Sequence, residues 1–93
     1  MLRIERTNAF RRDFKREKRG RFGRELEQIL TTVVQLLADN KVLLERYRDH
    51  ALGGEWDDCR ECHIKPDLLL IYRVHDDEAL QLVRLGSHSQ LFG

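Results

Sequence analysis

Three histidines, an aspartate and an arginine carry most of the chemical potential of this 93-residue chain. His50, His63 and His88 stand in three separate stretches of its second half, with Asp67 four positions after His63 and Arg84 four before His88. An imidazole titrates near ~6.5 when unperturbed, so it can take or give a proton around neutrality. Arg84 offers a permanently charged planar fork matched to phosphate oxygens. Together these types suit cleavage of RNA by internal transesterification. A base removes the 2′-hydroxyl proton, the oxygen attacks the neighbouring phosphorus, an acid protonates the departing 5′-oxygen, and a cation stabilises the charge that builds at phosphorus. A single histidine is more often structural than catalytic, so the case rests on one sheet face gathering three of them. His75 falls in a turn and is expected to be solvated.

A second pattern overlaps the first. Cys59-Arg60-Glu61-Cys62-His63 matches the C-x-x-C-H of covalent haem attachment. Such attachment needs export, the first ten residues, MLRIERTNAF, lack the apolar core of a secretion signal, and Met1 is the only methionine to serve as a second axial ligand. A zinc site built on Cys59, Cys62 and His63 wants a fourth ligand, and no second C-x-x-C or H-x-x-x-H supplies it. In a strand, moreover, Cys62 and His63 point to opposite faces. No metal and no cofactor is expected, and in a reducing compartment the two cysteines are expected to be free thiols.

The elements that must position these residues are legible in outline. Leu2 and Ile4 alternate with charged neighbours, as in a short strand buried on one face. Thr7 or Asn8 can cap a helix that places Phe10 and Phe14 on its inner side and ends at Gly20. A second helix is expected from about Gly23, with Leu26, Ile29, Leu30, Val33, Leu36 and Leu37 at helical spacing up to Asp39-Asn40. Residues 41–57 lack a period and read mostly as loop, with one turn around Leu43–Tyr47. Arg60–Ile64 can form a strand, Pro66-Asp67 a turn or bulge, and Leu68–Val74 a central strand with apolar residues on both faces. His75–Glu78 then turns the chain into a returning strand through Leu80, Leu82 and Val83. The expected class is α+β in the order β-α-α-β-β-β, a helical hairpin packed on a small antiparallel sheet, as one domain over residues 1–93.

A hydrophobic fraction of 41% excludes wholesale disorder, and no apolar run approaches the roughly 20 residues of a membrane span. With no signal-like start, the expected location is the cytoplasm. A net charge of +1 hides an asymmetry: residues 1–24 hold ten Lys or Arg against three Asp or Glu, and the remainder seven against thirteen. So basic an end attracts phosphate backbones, or equally an acidic protein segment.

Tyr47-Arg48-Asp49-His50 followed by Leu52-x-Gly54-x-Trp56, then Arg60-x-x-His63-x-x-Pro66-Asp67 with Leu70-Ile71-Tyr72, and finally Arg84-x-Gly86-x-His88 with Leu91-Phe92-Gly93, resemble in order and spacing the YafQ-type branch of the RelE/ParE toxin superfamily. These motifs cover about half the chain. The resemblance implies a RelE-like fold and a bacterial type II toxin that is a metal-independent endoribonuclease, cutting mRNA in the ribosomal A site and inhibiting translation. It implies as partners a ribbon-helix-helix antitoxin, the ribosome with its 16S rRNA, and operator DNA reached only through the antitoxin. His50, His63, Asp67, Arg84 and His88 then occupy active-site positions. Arg84 would hold the scissile phosphate, the histidines would supply acid and base, and Asp67 would orient a histidine or favour its protonated form. Phe92 would stack on a base, with Arg60 beside it in substrate binding. Arg11, Arg12, Lys15, Arg16, Lys18 and Arg19 would contact ribosomal RNA or an acidic antitoxin segment. Two departures stand out. Glu61 replaces an aspartate and is expected to have only a marginal role, and Leu68 takes the place of an aromatic residue. The acidic Glu55, Asp57, Asp58 and Glu61 do not favour RNA binding. A reading of a different class, a ParE-like gyrase inhibitor without ribonuclease activity, shares the fold but has no need of this histidine set.

Overall fold

The computed structural model describes all 93 residues. The Thr7 hydroxyl accepts the Phe10 amide at 2.9 Å, satisfying a donor that a helix N-terminus leaves free, and α1 runs over Asn8–Lys18. Lys15, Arg16 and Lys18 fill its last turn, where cations meet the carbonyl end of the helix dipole. The second helix, α2 (Leu26–Ala38), begins three residues later than its periodicity suggests. The intervening chain folds back on itself so tightly that a Cβ at Gly23 would lie 2.1 Å from the Lys18 carbonyl oxygen, so Gly23 serves the reversal and not the helix.

Five strands follow the expected α+β plan with additions: β1 (Arg3–Arg6), β2 (His50–Ala51), β3 (Arg60–Lys65), β4 (Leu68–His75) and β5 (Ala79–Gly86), in the order β1-β5-β4-β3-β2. The sheet is mixed and not wholly antiparallel, because β1 runs parallel to β5, pairing Arg3–Arg6 with Ala79–Leu82. That pairing joins the two ends of the chain, and local periodicity carries no information about it. β2, only two residues long, and a terminal helix α3 (His88–Phe92) are the other additions. Asp76 and Asp77 take the positive φ values (54° and 57°) that a tight hairpin between β4 and β5 demands. His75 is the exposed last residue of β4, ahead of that turn.

β4 lies at the centre and is buried over Leu68–Tyr72, as its continuous apolar run requires. Leu68, Leu70 and Tyr72 join the core beneath α1 and α2, a cluster of 17 buried residues. Leu69 and Ile71 face the other way, into a cluster of four completed by Cys59 and Leu91. Cys59 and Cys62 are buried free thiols, and burial pushes the Cys59 thiol up to about 11 and the Cys62 thiol to about 12, so both stay protonated and inert.

β1 stops pairing at Leu82, leaving the rest of β5 with an open edge. Side chains of α1 and its cap take over: Thr7 Oγ1 donates to the Val83 carbonyl at 2.8 Å, Asp13 accepts the Leu85 amide at 2.9 Å, and Arg16 donates to the Leu85 carbonyl at 2.8 Å. Buried backbone groups that no strand reaches thus find partners on a helix.

Candidate active site

Strand alternation puts Glu61 and His63 on the face of β3 turned away from α1 and α2, while Arg60, Cys62 and Ile64 face the other way. The register carries one row across four strands: His50 opposite Glu61, Glu61 opposite Ile71, and Ile71 opposite Arg84. His63, Leu69 and Gly86 form the next row, from which the chain leads through Ser87 to His88. A bulge flanks the rows on either side, with Ile64 the extra residue in β3 and Val83 in β5. Such bulges re-aim side chains next to functional sites.

His50 and His63 converge on Glu61. Its Oε1 lies 3.6 Å from His50 Nε2 and 3.3 Å from His63 Nε2, and its side chain is only 6% exposed. The far nitrogens are also met: His50 Nδ1 faces the Arg48 carbonyl at 2.6 Å and His63 Nδ1 the Pro66 carbonyl at 3.3 Å. The two rings are 6.4 Å apart. Every ring nitrogen therefore faces an oxygen, and the shared carboxylate can accept a ring proton from either histidine and fix its orientation.

Asp67 was expected beside a histidine, and the carboxylate found there is Glu61. Asp67 sits exposed on the β3–β4 turn, 4.0 Å from Arg21. Glu61, expected to be marginal, is the buried centre of the cluster. Its signal was the i, i+2 spacing from His63, which on a strand means one face. Arg60 is on the wrong face for the histidines. It donates to Asp49 at 3.2 Å, and Asp49 also accepts the Tyr72 hydroxyl at 2.5 Å. Burial and that carboxylate push the Tyr72 hydroxyl well above the ordinary range, so it remains a donor. Arg60 thus anchors Asp49, the residue before His50, where Arg48 holds a left-handed φ of 50°.

Arg84 is held from α1. Asp13 accepts Arg84 Nε at 2.7 Å and Nη2 at 3.2 Å, and Arg16 Nη1 at 3.0 Å. Burial works to raise the Asp13 pKa, but hydrogen bonds from Arg84 and Leu85 and the two guanidinium charges outweigh it, so the carboxyl titrates below the usual aspartate value. Arg16, expected to meet RNA or antitoxin, is committed to this anchor, whereas Arg11, Arg12, Lys15, Lys18 and Arg19 are exposed and make no ion pair.

His88 begins α3, whose cap is reciprocal: Ser87 Oγ accepts the Gln90 amide and Gln90 Oε1 accepts the Ser87 amide. The exposed His88 ring lies 5.1 Å from the Phe92 ring, which meets Trp56 edge-on at 6.3 Å. Phe92 therefore braces His88 while keeping part of its surface free, and Trp56, which the sequence motif named without a role, supports Phe92. A groove of about 490 Å³ borders His63, with Tyr47, Arg46 and Lys65 on its walls. A larger one of about 690 Å³ lies between α1 and α2, away from the histidines, lined by Phe10, Phe14, Leu30 and Val34 with Arg6, Arg11 and Lys15 nearby. No group of three or more His, Cys, Asp or Glu side chains is placed to hold a metal ion.

A helical hairpin on a five-stranded mixed sheet, with two histidines about one carboxylate and an arginine on the face away from the helices, is a RelE-like architecture. The chain belongs to the family described as bacterial toxin of type II toxin–antitoxin system, YafQ, whose model matches residues 2–93. It is 36% identical over 92 residues to the mRNA interferase toxin YafQ of Escherichia coli K12, covering 97% of this chain and 95% of that protein. A copper-bound mutant toxin from Helicobacter pylori superposes with a TM-score of 0.90 at 42% identity, covering 99% of this chain and all of the other. YafQ in the Escherichia coli DinJ–YafQ toxin–antitoxin complex superposes with a TM-score of 0.84 at 33% identity, covering both chains in full. No helix is long and apolar enough to cross a membrane.

Proposed function

We propose that this chain is the toxin of a type II toxin–antitoxin pair, an endoribonuclease that cuts mRNA on the ribosome and halts translation. The observation that carries the reading is the polar face itself: two histidines share a buried carboxylate, Glu61, which stands in register with an arginine two strands away. At about 4.8 Å per strand, Glu61 and Arg84 are roughly 10 Å apart at the backbone, enough to seat a phosphodiester between them. The relative named mRNA interferase toxin YafQ supports the substrate class.

In the proposed reaction His50 or His63, donating from Nε2 to Glu61, turns Nδ1 from its backbone carbonyl to the substrate and removes the 2′-hydroxyl proton there. The 2′-oxygen forms a bond to phosphorus as the bond to the 5′-oxygen breaks, and the departing oxygen takes a proton from His88 or the second histidine of the pair. Arg84 faces the non-bridging oxygens, whose charge grows in the transition state. The products are a 2′,3′-cyclic phosphate and a 5′-hydroxyl end. Acid–base groups and a fixed cation carry every step, without a metal. Phe92, braced on Trp56, offers a face for a base. Asp67 enters as a rim group, available once Arg21 releases it. Arg11, Arg12, Lys15, Lys18 and Arg19 meet the phosphates of 16S rRNA, so binding weakens steeply with salt. Antitoxin capture uses the apolar groove between α1 and α2 with its basic rim, which suits an acidic amphipathic segment, and contact with operator DNA comes through that antitoxin, for which a ribbon-helix-helix fold is expected. The setting is the cytoplasm, where ribosomes are.

Primer extension on a reporter mRNA after induction tests the reading. Wild type should create new 5′ ends within the translated region, and His63→Ala, His88→Ala and Glu61→Gln should each reduce them by about a hundredfold. Growth arrest without new ends would turn the case to gyrase inhibition.

A further inference from the structure

Asp13 is a lone buried acid inside a basic helix. It is 3% exposed, and its carboxylate takes four hydrogen bonds: two from Arg84, one from Arg16 and one from the Leu85 amide. The Arg84 contact is a fork, Nε to Oδ2 and Nη2 to Oδ1, which fixes the plane of the guanidinium as well as its place. The Leu85 contact fixes the backbone just past the bulge that aims Arg84. Arg84 keeps Nη1 and one Nη2 hydrogen for a ligand, and its side chain remains 27% exposed.

The network continues into α3. Arg16 Nη2 donates to the Leu85 carbonyl and approaches Gln90 Oε1 at 3.5 Å, the same oxygen that caps α3 ahead of His88. Gly86 makes the approach possible, since a Cβ there would lie 2.7 Å from Arg16 Nη2 and 2.9 Å from Gln90 Oε1. An apolar residue at position 13, between Phe10 and Phe14, would serve stability as well or better, because buried ion pairs rarely outperform packed hydrophobes. What an apolar residue cannot do is hold a guanidinium at a set angle.

We propose that Asp13 is a positioning residue for RNA cleavage, setting the orientation in which Arg84 meets the scissile phosphate. The inference rests on the ribonuclease reading above, and Asp13 acts through Arg84 without touching RNA.

Single-turnover cleavage of mRNA on saturating purified ribosomes, with wild type, Asp13→Asn, Arg84→Ala and the double variant, tests it. Asp13→Asn should slow cleavage by about tenfold to a hundredfold with the half-saturating ribosome concentration unchanged. Placed on Arg84→Ala, it should cost less than about twofold more, because the group it acts through is gone. Wild-type rates for Asp13→Asn, or a full additional loss on Arg84→Ala, would overturn the proposal. If thermal melting shows Asp13→Asn unfolded at the assay temperature, solvent exchange of the Arg84 Nε proton in wild-type protein decides: slow exchange supports the clamp, and exchange as fast as in an exposed arginine overturns it. A wild type that leaves mRNA intact defeats the ribonuclease reading itself, whereas cutting by wild type and Asp13→Asn alike defeats only this proposal.

Discussion

Beneath α1 and α2 the sheet presents Cys62, Leu70, Leu80 and Leu82 to a continuous core of 17 buried residues; on the other face the buried cluster numbers four, and equivalent strand positions go to Glu61, His63 and Arg84. One face holds the fold and the other is left thinly packed for chemistry. Besides the contacts of Glu61 with its two histidines, the polar groups of the second face are steadied by neighbours off that face: Asp49, held by Tyr72 and Arg60, behind His50, Asp13 behind Arg84, and Phe92 with Trp56 behind His88. His50, Arg84 and His88 are thus each steadied by a neighbour that moves no proton, as preorganised sites require.

Truncation on the helix side should be costly in stability. Leu70 is fully buried at the centre of β4, and Leu70→Ala removes about 3 to 4 kcal/mol, combining lost transfer energy with a cavity that rigid neighbours cannot close. For a domain of this size that lowers the Tm by more than about 12 °C, which thermal circular dichroism would read directly. A loss no larger than that of an open-face leucine would break the contrast between the faces.

Leu91→Ala sharpens it from the other side. Leu91 is 8% exposed and fastens α3, a helix of five residues, onto the smaller cluster. A loss near the low end for leucine, about 2 kcal/mol, is expected because the end of the chain can settle into the gap. Cleavage should nevertheless fall by more than about tenfold even well below the Tm, since His88 and Phe92 ride on that helix. Equal proportional losses of stability and activity would mean that the open face is ordinary core.

The helix face was the more legible of the two, and for a physical reason. Leu26 to Leu37 recur at helical spacing and Leu68–Tyr72 form an apolar run, both local patterns that burial imposes directly. The partners of the open face depend on tertiary pairing. That β1 would lie parallel to β5, or that α1 would fill the open edge of β5, involves residues more than 70 positions apart. Some site information was nonetheless present locally. The strand alternation that separates Cys62 from His63 also separates Arg60 from it, and places Glu61 beside it. Asp13 lies on the inner stripe between Phe10 and Phe14, an acid where a core residue belongs, which marks it as paired. Asp67 carried weight through family resemblance, although Pro66-Asp67 already read as a turn or bulge, where a side chain tends to face solvent.

The smallest effect compares two carboxylates, one from each side. The Asp13 pKa is lowered by Arg84, the Leu85 amide and Arg16 against the opposing effect of burial; that of the exposed Asp58 is lowered by Arg73 at 2.7 Å and by the Cys59 thiol. In both, the folded protein holds its proton less tightly than the unfolded chain, whose aspartates titrate near 3.8. Each therefore contributes stability that is complete above that value and is lost as pH falls through the lower folded value. Water and salt screen the Asp58–Arg73 pair but not the buried one. Melting between about pH 2 and 5 should show the acid loss flattened in Asp13→Asn and nearly unchanged in Asp58→Asn, most clearly in about 0.5 M salt, where exposed pairs contribute least. Identical acid slopes for the two variants would mean that Asp13 is not held as its four hydrogen bonds indicate.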